Sequence, residues 1–177
     1  ADMVLSDDNF ATIVGAVEEG RRIYDNIRKS IQFLLGSNMS EVLAIFFATL
    51  LGFTILEPVH LLWINLVTDC FPALALGMEK AEGNLMKRKP RDSKDGIFAQ
   101  GLLWDVVFQG VIVGVITLVA YFIGNSIGGA EHGTTMAFLA LSMTEIFHSF
   151  NMRSQRKSVF TLKGQNMILW AAMLGSL

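Results

Sequence analysis

All 14 lysines and arginines of this 177-residue chain fall in three short segments, and long apolar stretches separate them. The basic residues are Arg21, Arg22, Arg28 and Lys29, then Lys80, Lys87, Arg88, Lys89, Arg91 and Lys94, then Arg153, Arg156, Lys157 and Lys163. A membrane helix needs about 20 mostly apolar residues. Four such stretches can be drawn, over about 31–56, 59–77, 102–123 and 134–150, and a truncated fifth runs over 167–177. Lys and Arg collect on the cytoplasmic side of membrane spans. The N-terminal segment, the Met78–Gly101 loop and the Arg153–Lys163 loop are therefore expected to be cytoplasmic. The loops Gly52–Pro58 and Gly124–Gly133 carry no Lys or Arg and belong on the opposite side. The pattern predicts an all-α membrane protein: a bundle of four full transmembrane helices plus a truncated fifth, preceded by a short soluble segment.

Charge content agrees. Only 17% of residues are charged, against about a quarter in a soluble domain, and 52% are hydrophobic. A net charge of −2 offers no footprint for nucleic acid, and a single cysteine, Cys70, rules out a disulfide within the chain. Asp7, Asp8, Glu18, Glu19, Arg21, Arg22, Asp25, Arg28 and Lys29 make residues 1–30 water-soluble, a short soluble piece and then a helix that continues into the first span, and the chain is expected to divide into residues 1–26 and a membrane part over 27–177. The chain opens at Ala1 without Met and stops inside an apolar run, which reads as a piece cut at both ends, without a signal peptide.

Small residues recur every fourth place on the first span, at Gly36, Ser40, Ala44, Ala48 and Gly52, and the third span holds Gly110 and Gly114. Small residues at that spacing let helix backbones approach closely in lipid. The two sets are expected to meet.

Three carboxylates interrupt the spans: Glu41 in the first, Asp69 in the second and Glu145 in the fourth. Each costs about 2.5–3.5 kcal/mol at mid-membrane even on the lenient insertion scale, so such groups face a bundle interior and mark ion or proton paths. Asn38 and Glu41 are three apart and share a helix face. Asn65, Thr68 and Asp69 follow an i, i+3, i+4 pattern. Hard cations such as calcium take oxygen ligands with several negative charges among them, and these side chains offer carboxylate, amide and hydroxyl oxygens. Pro72, three residues beyond Asp69, removes a backbone donor and frees carbonyls beside the candidate site. The competing reading is a polar cluster that only joins helices. His60 beside Trp63 is expected at a membrane interface, and His132 in a loop. His148 is expected near the cytoplasmic end of its span, and Asp7-Asp8 as a solvated or helix-capping pair. Cys70 adjoins Asp69, but one sulfur does not make a soft-metal site.

These residues carry a resemblance. Gly36-Ser-Asn-Met-Ser-Glu-Val42, Leu62-Trp-Ile-Asn-Leu-Val-Thr-Asp69 and Pro72-Ala-Leu-Ala-Leu-Gly77 resemble the fifth and sixth spans of P-type ATPases of the sarcoplasmic-reticulum calcium-pump group. Met86 through Arg91 resembles the cytoplasmic loop that follows, and the stretch from Ala1 to Arg21 resembles the end of the phosphorylation domain. The resemblance implies that residues 1–26 are the end of that domain and a stalk. It implies that Asn38, Glu41, Thr68, Asp69 and Glu145 match one calcium site, while Asn65 and Asp69 match a second. Cys70 stands where these pumps carry Gly. The phosphorylated Asp-Lys-Thr-Gly-Thr motif, the nucleotide and actuator domains and the first four spans are absent from the sequence, so no catalytic or cofactor-binding residue is expected here. ATP and magnesium would bind those missing parts, which with the lipid bilayer are the expected partners, and calcium would be the transported substrate. Carboxylates that converge in a dry bundle call for protons when no metal is bound, which predicts proton counter-transport. Three acids suit a divalent ion. A pump for sodium, potassium, manganese or protons remains open, as does a non-catalytic helical bundle for this stretch alone.

Overall fold

The computed structural model describes residues 4, 6–7, 9–81, 83, 85–90, 96–98, 101–154 and 166–176. Asp8, Arg91, Lys94, Arg156, Lys157 and Lys163, on which parts of the capping and topology expectations rest, lie outside the described residues.

The first helix, α1 (Phe10–Leu50), has 41 residues, or about 60 Å of rod, roughly twice the hydrocarbon thickness of a bilayer. Its charged first half and apolar second half are continuous, as expected. Asn9 caps it by accepting from the Ala11 N–H at 3.0 Å. Asp7 accepts from the Thr12 hydroxyl at 2.5 Å and from the Asn9 N–H at 3.3 Å, and these donors hold its carboxyl below the ordinary value. The helix ends at Leu50 rather than near residue 56. Gly52 takes a φ of 80°, the Gly52 N–H donates to Thr49 O and the Phe53 N–H to Ala48 O. That pair of bonds satisfies the last carbonyls and needs a left-handed residue, which glycine supplies.

The second rod runs over Pro58–Gly77 in three parts: α2 (Pro58–Trp63), a π-helical segment (Ile64–Asp69) and α3 (Cys70–Gly77). Proline at the first helical position sacrifices no hydrogen bond, and His60 Nδ1 accepts from the Glu57 N–H at 3.2 Å to close a capping box. The His60 ring stacks on Phe138, 4.8 Å between centroids.

The next two helices, α4 (Leu102–Gly128) and α5 (Ala130–Asn151), form a hairpin broken only at Gly129, with φ 82°. The segment expected as a loop, Gly124–Gly133, is helical on both sides of that residue, and His132 belongs to α5. The reason is steric: a Cβ on Gly124 would sit 2.6 Å from His132 O, and one on Gly133 would sit 3.0 Å from the Tyr121 carbonyl oxygen. Glycine at both places lets the helices touch up to their turn. The last helix, α6 (Met167–Ser176), starts where Asn166 Oδ1 accepts from the N–H groups of Ile168 and Leu169, both at 3.1 Å.

The small-residue faces of α1 and α4 meet as expected. A Cβ on Gly110 would fall 2.7 Å from Met39 Cβ, and one on Gly114 would fall 3.4 Å from Ser40 O. Around this contact Ala44, Ala48, Ile64, Val113, Tyr121, Ala137 and Leu141 form the buried core. Large apolar side chains such as Val42, Phe46, Leu62, Leu66, Phe108 and Val115 face outward, the arrangement a lipid solvent favours. Three helices are long and apolar enough to cross a membrane: Phe10–Leu50, Pro58–Gly77 and Leu102–Gly128. At 22 residues α5 has the length, but Thr134, Thr135, Ser142, Thr144, Glu145, His148 and Ser149 dilute its apolar character. With 10 residues, α6 is too short. The molecule is an integral membrane bundle of helices.

A buried polar knot ties one end of this bundle. Arg153 donates from Nε and Nη2 to the two carboxylate oxygens of Glu79, both at 3.1 Å, and Asn166 donates to Glu79 Oε2 at 2.8 Å. From α1, Asn26 donates to Glu79 O at 2.7 Å and Lys29 to Arg153 O at 2.7 Å. Further down α1, Arg21 donates to Leu85 O and Arg88 O, and Arg88 pairs with Asp25 at 2.5 Å. The charged half of α1 is thus fastened to the segment that follows α3.

Candidate cation site

The three intramembrane carboxylates come together. One oxygen each from Glu41, Asp69 and Glu145 can be chosen so that all lie within 4.8 Å of one another. Exposure is 6% for Glu41 and 1% for each of Asp69 and Glu145. Glu41 comes from the apolar half of α1, Asp69 from the end of the π-segment, and Glu145 from α5.

The π-segment sets the geometry of the second rod. Such segments are rare and cluster at functional sites. This one precedes Pro72, whose missing N–H and bulky ring disfavour a regular α-turn with Thr68 four residues earlier. The wider turn buries both Thr68 and Asp69. Cys70 stays exposed and donates its thiol to Asn65 O at 3.1 Å, so it stands outside the acid cluster.

Asn65 donates to both carboxylate oxygens of Glu41 at 3.0 Å and also to Leu61 O at 2.9 Å. Ser37 Oγ lies 2.6 Å from Asp69 Oδ2 and 2.5 Å from Glu145 Oε1. A hydroxyl carries one hydrogen, so Ser37 can donate to only one of these oxygens at a time. Thr68 Oγ1, Asp69 Oδ1 and Glu145 Oε2 are buried and have no hydrogen-bond partner among the described residues. Buried oxygens are rarely left without a partner, because an unserved one carries its full desolvation penalty. A hard cation satisfies several oxygens and cancels several charges at once. The donor set is all oxygen, with three carboxylates, and fits such an ion.

Four of the six expected ligands are therefore brought together, Glu41, Asp69 and Glu145 by their carboxylate oxygens and Asn65 through its bonds to Glu41, while Thr68 is fully buried next to Asp69. Asn38 stands apart, on an exposed face of α1, where its amide donates to Leu34 O at 2.7 Å. Sequence reasoning missed Ser37. The signal was available, because Ser37 lies four residues before Glu41 and a helix places i and i+4 side by side. His148, three residues beyond Glu145 on α5, stacks on Phe33 with 6.2 Å between ring centroids.

Comparison with known proteins identifies relatives of the chain. A family described as "Cation transporting ATPase, C-terminus" matches residues 53–177. The chain is 44% identical over 180 residues to "Calcium-transporting ATPase 1" of Bacillus cereus, covering 92% of this chain and 20% of that protein. It is 46% identical over 181 residues to "Calcium-transporting ATPase" of Bacillus subtilis, covering 100% of this chain and 20% of that protein. It is 35% identical to "Calcium-transporting ATPase 3, endoplasmic reticulum-type" of Arabidopsis thaliana over 207 residues, again 100% of this chain and 20% of that protein. The chain thus spans about a fifth of the length of the curated relatives it matches.

Proposed function

The chain belongs to the cation-transporting ATPases, matched at their C-terminal region, and from that premise we propose that it supplies the membrane-embedded cation ligands of an ATP-driven calcium pump. The observation that carries this reading is the meeting of Glu41, Asp69 and Glu145 within 4.8 Å, in a setting that leaves buried oxygens without partners. Three acids in so small a space suit a divalent ion, which favours calcium over sodium or potassium. An all-oxygen set favours it over softer transition metals.

In this reading Asp69 is the central ligand, because the resemblance assigns its one carboxylate to both calcium sites. Glu41 and Asn65 bind from one side, and Glu145 from the other. Thr68 adds a hydroxyl. Asn38 joins by swinging its amide away from Leu34 O toward the face of Glu41. Residues 1–26 are the end of a phosphorylation domain and its stalk, and 27–177 the transmembrane part. ATP and magnesium act on parts of the protein beyond this chain, and α1, long enough to leave the membrane, is the rod that connects them to the ligands. The Lys- and Arg-rich segments face the cytoplasm. When the cation leaves, protons take its place on the clustered acids, so the pump carries protons in the opposite direction.

The test is calcium-dependent phosphorylation of the full-length protein by ATP. Asp69→Asn should abolish it, and Glu41→Gln should weaken it strongly. An Asp69→Asn protein that is phosphorylated at ordinary calcium concentrations would remove this assignment. The same assay run with manganese, sodium, potassium or no metal ion separates calcium from the other candidate substrates.

A further inference from the structure

The π-segment is followed by a shortage of donors. In an α-register the carbonyl of residue i is served by the N–H of residue i+4, and in a π-register by that of i+5. Pro72 has no N–H. It stands five residues after Val67 and four after Thr68, so it fails Val67 in one register and Thr68 in the other. The change of register between Asp69 and Cys70 makes both failures relevant here.

A donor arrives from another helix. Ser176 is the one hydroxyl on α6, an otherwise apolar ten-residue helix, and it is 5% exposed. Its Oγ lies 3.2 Å from Val67 O and 2.7 Å from Ala172 O. The second contact is the local habit of serine in a helix. The first crosses between helices, and the single hydroxyl hydrogen lies between the two carbonyls in a three-centre arrangement.

We infer that Ser176 is a positioning residue of the cation site: its hydroxyl serves the Val67 carbonyl that Pro72 leaves open and so holds the π-register that turns Thr68 and Asp69 inward. Without that donor, Val67 O competes for the Phe71 N–H in a plain α-register. Losing the extra residue of the π-turn rotates Asn65 relative to Asp69 by roughly 100°, one residue's step around a helix. The ligands would then have to be reassembled by the cation itself, and affinity would fall while the chemistry at saturation stayed intact. The inference rests on the proposed function above, and its test is arranged to separate the two.

In the full-length protein, phosphorylation by ATP is titrated against free calcium for wild type, Ser176→Ala, Ser176→Thr, Pro72→Ala, Pro72→Ala/Ser176→Ala and Asp69→Asn. Ser176→Ala should lower apparent calcium affinity about tenfold, the scale of one lost hydrogen bond, with maximal phosphorylation unchanged. Ser176→Thr keeps the hydroxyl and should retain wild-type affinity. Pro72→Ala restores an N–H, so adding Ser176→Ala to it should cause no further loss, a non-additivity that a general packing role would not produce. Wild-type affinity in Ser176→Ala, or an equal loss in both backgrounds, overturns the inference. If Ser176→Ala alone does not accumulate, the double variant decides: accumulation with the affinity of Pro72→Ala supports the inference, and failure to accumulate overturns it. Calcium dependence retained in Asp69→Asn defeats the proposed function instead. Calcium dependence lost in Asp69→Asn, with wild-type affinity in Ser176→Ala, defeats only the inference.

Discussion

Ser37 Oγ lies 2.5 Å from Glu145 Oε1, a contact between α1 and α5 at the centre of the acid cluster. The same hydroxyl reaches Asp69 Oδ2, so one serine bridges two acidic groups from different helices. Hydrogen bonds to charged groups contribute about 1.5–3 kcal/mol. Ser37→Ala should lower the stability of the detergent-solubilised protein by about that amount when calcium is chelated. A bound cation takes over the task of separating the carboxylates, so the loss should be smaller in saturating calcium. Thermal unfolding under the two conditions checks this, and an equal loss in both would mean that Ser37 is not part of the site.

The same residue shows what the sequence could and could not convey. The acids at 41, 69 and 145 are legible because a carboxylate in an apolar span is too costly to persist unless it meets a cation, a proton or a polar partner. Ser37 carries a weaker signal, its i, i+4 spacing to Glu41, which is easily passed over because a serine in a membrane helix is common and Asn38 next to it offers more ligating atoms. Asn38 and Ser37 differ by one helical step, about 100°, and that step decides which of them faces the cluster. The end of α1 is obscured for a related reason. Phe53, Ile55 and Leu56 extend the apolar run, while the chain stops being helical at Leu50 because Gly52 can take a left-handed turn. Hydropathy measures where lipid or core is, and backbone geometry decides where the helix ends. The turn between α4 and α5 resembles a loop for want of large apolar residues, although its glycines are there to let two helices touch. The π-segment could be located from Pro72, but its type depends on packing with α5 and α6, which no local pattern encodes.

The contact between α1 and α4 predicts an ordering of glycine substitutions. At Gly110 a new Cβ would meet Met39 Cγ at 2.5 Å and Met39 Cβ at 2.7 Å. Met39 Cγ can move, but Cβ is fixed to the helix, so Gly110→Ala should destabilise by about 1–3 kcal/mol. At Gly114 the nearest atom is Ser40 O at 3.4 Å, ordinary contact, so Gly114→Ala should be close to neutral. Gly15 has nothing within 4 Å of the added carbon and lies in an exposed part of α1. There alanine should stabilise by about 0.4–1 kcal/mol, since it helps the helix and disturbs no neighbour. Unfolding midpoints should rise from Gly110→Ala through Gly114→Ala to Gly15→Ala, and Gly110→Ala at wild-type stability would contradict the packing.

The Glu79–Arg153 pair predicts a contrast between buried and exposed ion pairs. Both side chains are about one-tenth exposed, whereas Arg22 and Glu19 pair on the surface of α1 at 33% and 52%. Removing one partner of a buried pair strands a charge and costs about 3–5 kcal/mol, while an exposed pair contributes about 0–1 kcal/mol. Arg153→Met should therefore destabilise strongly and Glu19→Gln should not. The double variant Glu79→Met/Arg153→Met should recover part of the loss, because no unpaired charge remains. Chaotrope unfolding of wild type and the three variants measures this, and a double variant less stable than Arg153→Met would show that Glu79 is held by Asn166 and the other donors rather than by its partner.

Glu41, Asp69 and Glu145 bring carboxylate oxygens within 4.8 Å of one another, and under the proposed function a cation and protons would compete for them. Metal ligands must be deprotonated to bind, so binding releases protons and becomes weaker as they grow more abundant. The sign follows: apparent calcium affinity of the full-length protein should rise with pH across the neutral range and fall on acidification. Glu145→Gln removes one of the competing acids. It should weaken calcium binding at every pH and also flatten the pH dependence, because fewer protons are exchanged per ion. In sealed vesicles containing a pH dye, calcium uptake should be matched by proton efflux, with the ratio reduced in any variant that still transports. Calcium affinity that is flat with pH, together with uptake that moves no protons, would mean that another group, and not the acid cluster, balances the charge when the cation leaves.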